Sequence, residues 1–200
     1  MLLMSLLLTQ CSIDRTIHNL SLSELQTLDQ FEGLERQSQV RISDPDEPGQ
    51  KLWLCLTFVS AETERPIIKE QIKLFHTSSQ GEYNPDDPSD ESTARLNGTA
   101  YTDDQGRIFV QTILPGDYGS SSDNRHVHTT VQNARPQAYD IHFKQYTGMM
   151  NERFINGSDQ HFLADLKQTE DGVLVAFLMV EVKNHHLEPA AMQRTGRSDD

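Results

Sequence analysis

Cysteine is nearly absent from this chain, and its scarcity removes several explanations at once. Only Cys11 and Cys55 occur in 200 residues. Two cysteines so placed give no disulfide framework, and neither belongs to a C-x-x-C pair, which argues against a zinc–thiolate site. Cys55 sits in the apolar run Leu52–Val59, where a buried free thiol is the ordinary reading. Basic residues are also few. Lys and Arg number 17 against 30 Asp and Glu, a formal net charge of −13. A surface that acidic repels phosphate backbones and anionic lipid, so no nucleic acid is expected as a partner. The apolar N-terminal run is too short to cross a bilayer. There is no internal repeat, and helical periodicity is confined to one short stretch.

What is present reads in order along the chain. Residues 1–11, MLLMSLLLTQC, resemble the signal and lipobox of a bacterial lipoprotein, with Cys11 as the lipidated residue. An export signal there implies a periplasmic or membrane-anchored lipoprotein; the other reading is a frayed apolar tail on a cytoplasmic protein. Residues 12–49 form an N-terminal extension. Within it, Ser21 and Glu24 have capping-box spacing, and Leu22, Leu25, Leu28 and Phe31 recur at helical intervals, predicting a helix over about 22–33 that Gly33 ends. The turn-rich Ser43–Gly49 marks a boundary. Over residues 50–183, short apolar or alternating runs are divided by Gly, Pro and Asp turns. Strands are expected over Lys51–Val59, Ile67–His76, Arg107–Ile113, Arg125–Val131, Tyr139–Tyr146 and Val173–Val182, the last a central one. That pattern predicts an all-β sandwich with a short helical extension. Residues 184–200 lack an apolar pattern and read as a flexible tail.

The residues able to do chemistry cluster in three places. His126-Val127-His128 lies on a predicted strand, where alternate residues share a face, so two imidazoles can meet one metal from a rigid platform. Alone, the pair is a weak signal, and a polar strand face is the more ordinary reading. Tyr83, in Gly81-Glu82-Tyr83-Asn84-Pro85, and Tyr118, in Leu114-Pro115-Gly116-Asp117-Tyr118-Gly119, each follow a strand in a turn, where loops carry function. A lone tyrosine there is usually a packing residue with a wet hydroxyl. Two phenolates with two neutral imidazoles, however, suit a trivalent iron better than zinc or calcium.

The segment Thr102-Asp103-Asp104-Gln105-Gly106-Arg107-Ile108-Phe109-Val110-Gln111-Thr112-Ile113-Leu114-Pro115-Gly116-Asp117-Tyr118 resembles the TDxxGxYxFxTIxPGxY motif of intradiol ring-cleavage dioxygenases. His76 to Tyr83 is similar to their WHxDxxGxY segment, and Arg125-His126-Val127-His128 to their HxH strand. The resemblance covers roughly residues 50–182. It implies a non-haem Fe3+ held by Tyr83, Tyr118, His126 and His128. It also implies cleavage of a catechol-type aromatic diol with O2 to a muconate-type diacid, as in aromatic compound catabolism, and a homo-oligomer. Tyr118 is implied to yield its place to the substrate and take up one of its protons.

The sequence departs from the family pattern in places. Asp123 stands where the family has an arginine three residues before the first histidine. Arg125 is the basic residue nearest that position but alternates to the opposite strand face. His142 falls near a family glutamine, as a residue behind the ligands, a substrate contact or an ordinary strand residue. Phe75 replaces the tryptophan. Tyr118, Arg125 and His142 are therefore the residues the resemblance offers as catalytic. A competing alignment sets Arg135–Phe143 on the family's RPxHIHF string and puts Asp140 at the first histidine, altering the site; it is set aside because His126 and His128 keep both ligands. Two other readings stand beside the enzyme: a non-catalytic exported binding module on the same sandwich, and a zinc or copper site using histidines alone.

Overall fold

A computed structural model describes residues 15–119, 122–147 and 157–185. The expected signal and lipobox, 1–11, and most of the expected tail lie outside the described residues.

The helix forms where the apolar spacing places it. It runs Leu22–Glu32 (α1), and both halves of the capping box are present: the Ser21 hydroxyl accepts the Glu24 N–H, and the Glu24 carboxylate accepts the Ser21 N–H at 2.8 Å. Gly33 ends it with φ −83°, a right-handed value, so no left-handed cap is involved.

The strands are β1 (His18–Asn19), β2 (Gln39–Arg41), β3 (Lys51–Ser60), β4 (Gln71–His76), β5 (Leu96–Tyr101), β6 (Arg107–Ile113), β7 (His126–Val131), β8 (Ala138–Phe143), β9 (His161–Ala164), β10 (Lys167–Gln168) and β11 (Leu174–Val182). They make two mixed sheets, one ordered β1-β10-β11-β3-β6-β2 and the other β5-β4-β7-β8-β9. The architecture is thus the expected β-sandwich with one short N-terminal helix. Leu52, Leu54, Leu56 and Phe58 of β3 pack with Ile72 and Leu74 of β4, Val127 of β7 and Ile141 of β8 in one core. Among the described residues, no helix is long and apolar enough to cross a membrane.

The two sheets differ in what lies outside them. On the six-stranded sheet, Leu28 and Phe31 of α1 pack with Cys55 of β3, Phe109 of β6 and Val175 of β11 in a second apolar cluster. Much of β3 and β11 is therefore buried on both faces, which is why their sequences are almost continuously apolar. β4 and β7 instead alternate buried and half-buried residues. One face joins the core, and the other carries Lys73, Phe75, His126, His128 and Thr130.

Two expected strands are shorter in the structure. β4 begins at Gln71 because Lys69 takes φ 55°, a left-handed turn that interrupts extended pairing. β8 ends at Phe143 because Lys144–Tyr146 winds into a single tight turn. Buried Gln145 in that turn accepts the Leu166 N–H and donates to Asp165 at 2.8 Å.

Candidate metal centre

Two loops carry the tyrosines, and the motif residues around them act first as carpentry. His76, at the end of β4, is fully buried. Its Nδ1 lies 2.7 Å from the Thr77 carbonyl and its Nε2 2.6 Å from the Thr112 hydroxyl. A carbonyl can only accept, so Nδ1 carries the proton, assigned here from the network. Burial pushes His76 down to about 4, so it is a neutral tie between the Tyr83 loop and β6. The next tie is backbone on backbone. Gly116 donates its N–H to Ser78 at 2.8 Å, and the Thr77 hydroxyl donates to the Gly116 carbonyl at 3.0 Å. A Cβ on Gly116 would sit 2.5 Å from both the Gly81 nitrogen and the Ser79 oxygen. Gly81 has φ 84°, and a Cβ there would come within 1.9 Å of the Asp117 oxygen. Only glycines permit this approach. Through it the Tyr83 and Tyr118 rings come to 5.1 Å between centroids.

Asp103 completes the motif's structural part. Its carboxylate accepts the N–H groups of Gln105 and Arg107 and is paired with the Arg107 guanidinium at 2.8 Å, shaping the turn into β6. Burial opposes its ionisation, but these donors hold the carboxyl below its usual range.

The donor atoms meet on the outer face of the five-stranded sheet. The Tyr83 hydroxyl lies 2.7 Å from His128 Nε2, and His126 Nε2 lies 3.1 Å from the same atom. The other ring nitrogens fix the tautomers. His126 Nδ1 is 2.5 Å from the Asn124 carbonyl, and His128 Nδ1 is 2.7 Å from the Asp140 carboxylate. Both partners only accept, so both Nδ1 atoms carry protons, and in the neutral tautomer each ring turns an Nε2 lone pair inward. Two lone pairs and a phenol oxygen, sharing one proton, thus converge on one place. Burial first, with His128 adding, holds His126 below its ordinary value and keeps it neutral. Burial raises Tyr83, with Glu91, Tyr118 and Asp140 adding; a cation at this point reverses that and favours the phenolate.

Of the four ligands expected from sequence, Tyr83, His126 and His128 stand together. Tyr118 does not share their atoms. Its side chain is exposed, its hydroxyl donates to Glu91 at 3.1 Å, and that bond with the Glu91 charge raises its phenol. Its backbone is nonetheless tied to the histidine strand, because the Asn124 side chain accepts the Tyr118 N–H and donates to its carbonyl, each at 2.9 Å. Arg125 lies apart from the donors, with its guanidinium 4.3 Å over the Tyr146 ring and its Nε 3.6 Å from Asp117. Asp123, at the arginine position of the resemblance, is paired with Arg15 from the N-terminal extension.

Strand register explains the rest of the neighbourhood. Phe75, His128, Asp140 and His161 are cross-strand partners in a row over β4, β7, β8 and β9, and His126 faces His142 in the next row. Phe75 stacks on His128 at 4.6 Å, and His142 on His126 at 5.1 Å. Burial first, with the neighbouring His126 adding, pushes His142 down to about 4. Burial opposes ionisation of Asp140 too, yet the hydrogen bond from His128 and the surrounding imidazoles hold its carboxyl below the usual range. Asn124, Asp140 in this role, and His161 were missed from sequence. Asn124 and His161 carry no local signal. Asp140 stood in the competing alignment at a ligand position, whereas the structure sets it behind His128.

Comparison with known proteins gives a consistent picture. The family model described as Dioxygenase (Dioxygenase_C) matches residues 30–190. Catechol 1,2-dioxygenase of Acinetobacter baylyi is 32% identical over 81 residues, covering 40% of this chain and 26% of that enzyme. The matched stretch is thus about a quarter of the curated relative. Among solved structures, catechol 1,2-dioxygenase from Pseudomonas arvilla C-1 superposes with TM-score 0.60 at 19% identity, covering 78% of this chain and 62% of the other. An intradiol ring-cleavage dioxygenase from Tetranychus urticae superposes with TM-score 0.57 at 18% identity, covering 78% and 92%. The dioxygenase domain of a carbohydrate-binding fusion from Streptomyces sp. SirexAA-E gives 0.56 at 15% identity, covering 75% and 92%.

Proposed function

Because this chain belongs to the intradiol ring-cleavage dioxygenase family, we propose that it cleaves a catechol-type aromatic diol with O2 at one non-haem ferric ion. Tyr83, His126 and His128 would hold the ion, with Tyr118 as a fourth donor. The observation that carries this reading is the convergence of two inward Nε2 lone pairs with the Tyr83 oxygen, since such an arrangement wants a cation among its atoms. One phenolate and two imidazoles from the sheet, joined by a second phenolate, form a donor set that suits Fe3+. When bound, the ion supplies Lewis acidity that draws electron density from the diol and so opens it to O2.

The chain's own residues perform the rest. Tyr83 gives up its proton on loading and stays fixed, since its ring is held among Phe75, Tyr118 and His128. Asp140 accepts the Nδ1–H of His128, which holds that ring in the ligating tautomer and strengthens its donor nitrogen. Tyr118 is exposed and bonded to Glu91, so its hydroxyl moves at little cost. As a phenolate donor to the ion it would take up one of the diol's two protons, and Glu91 is placed to accept the hydrogen bond of the hydroxyl so formed. The pairing of Asp123 with Arg15 puts a carboxylate where the family resemblance expects a lone cation, which favours an uncharged diol over one bearing an extra carboxylate.

Oxygen uptake by the iron-loaded full chain, over a panel of catechol, protocatechuate and hydroxyquinol, tests the proposal. The expected result is uptake with at least one diol and a product heavier than that diol by one O2. An iron-loaded protein that consumes no O2 with any member overturns the enzyme reading in favour of a binding module.

A further inference from the structure

The row of polar residues does not end at His128. Beyond it, β8 and β9 bring Asp140, His142 and His161 together, with one ligating atom of each lying within 4.8 Å of the others. Asp140 Oδ2 is 3.7 Å from His161 Nε2, closer than unrelated side chains but too long for a good hydrogen bond. His142 supplies an independent observation. It is 2% exposed, and its buried Nε2 has no hydrogen-bond partner. Leaving such an atom unpaired in the interior is costly, which makes this a place suited to a ligand.

We propose that Asp140, His142 and His161 form a second cation site, for one divalent transition-metal ion of the zinc class. Two imidazole nitrogens and one carboxylate oxygen are a donor set suited to such an ion with an open position. Calcium and magnesium prefer more oxygens than are present. The site is distinct from the ferric one, because neither His142 nor His161 supplies a donor atom to the Tyr83, His126 and His128 cluster. Asp140 joins the two. Its Oδ1 holds the Nδ1–H of His128, while its Oδ2 faces His161. A cation on Oδ2 competes for the electron density that Asp140 lends to His128, so its binding shifts the colour of an iron centre next door.

The site stands on its own donors whatever occupies the neighbouring cluster, and the test keeps the two apart. The full chain, iron-loaded, is equilibrated with Zn2+ by dialysis, and both metals are counted by mass spectrometry. The expected result is one zinc retained beside the iron, and at least a tenfold loss of zinc affinity in His161→Ala with iron content unchanged. His161→Gln, which keeps volume on the edge strand, gives the same loss. Tyr83→Phe shows the reverse, losing iron while keeping His161-dependent zinc. Should the wild type bind no iron at all, the zinc titration of the metal-free chain still reads the His161 dependence. Zinc uptake unchanged in both His161 variants, or no zinc bound by the wild type, overturns the proposal.

Discussion

At the scale of single residues, the motif histidine His76 shows how much of a functional signature is structural. It belongs to neither candidate metal cluster, yet it pins the Tyr83 loop to β6 as a neutral ring. Its pKa falls from 6.5 to about 4 on folding, so below pH 6.5 the unfolded chain takes up a proton that the folded chain refuses. Stability is therefore complete above that value and drains as pH falls toward 4, by up to about 3 kcal/mol. Denaturant titrations of the metal-free wild type between pH 7.5 and about 4 are expected to show that slope. His76→Gln starts lower at neutral pH and has a flatter profile. Tyr83, His126 and His128 were legible because their spacing and order follow a specific string. Asn124 and Asp140 were not, because they act by closing loops and facing neighbours across the sheet, which the local sequence does not encode.

At the scale of elements, the tyrosine loops depend on glycine at the point where two backbones touch. Gly116→Ala forces a Cβ against the Gly81 nitrogen and the Ser79 oxygen, both 2.5 Å away, and neither backbone can yield without moving a tyrosine. A loss of about 2–4 kcal/mol is expected, together with iron uptake that falls even at temperatures where the variant stays folded. Thermal melts paired with iron binding check both. The strands were readable in proportion to their cover. β3 and β11 stood out because α1 and the core bury both faces of much of their length, and β7 because it alternates. β1, β2, β5, β9 and β10 escaped notice. They are short or lie at sheet edges, and β5 reads LNGTAY, where Gly98 admits Val40 at a distance that would be 2.6 Å from a Cβ. Such residues serve neighbours rather than strand propensity.

At the scale of the whole molecule, the two sheets are tied at one end by a buried polar clasp. Glu70, before β4, accepts the N–H of Asn133 at 2.8 Å, its side-chain amide at 3.0 Å, and His185 beyond β11 at 3.1 Å. Glu70→Ala removes the buried partner of the His185 ring, while the exposed Asn133 turns to water, and is expected to cost about 1–3 kcal/mol in urea unfolding, with metal binding at the far residues intact. The sandwich thus separates a face sealed by a helix from a face left open for chemistry, and everything functional follows from what that open face can hold. Anomalous diffraction at the iron edge, from crystals of the iron-loaded full chain, measures this directly. The account predicts a single iron peak within bonding distance of Tyr83 Oη, His126 Nε2 and His128 Nε2. Iron found only against Asp140, His142 and His161, or no iron on this face, would contradict it.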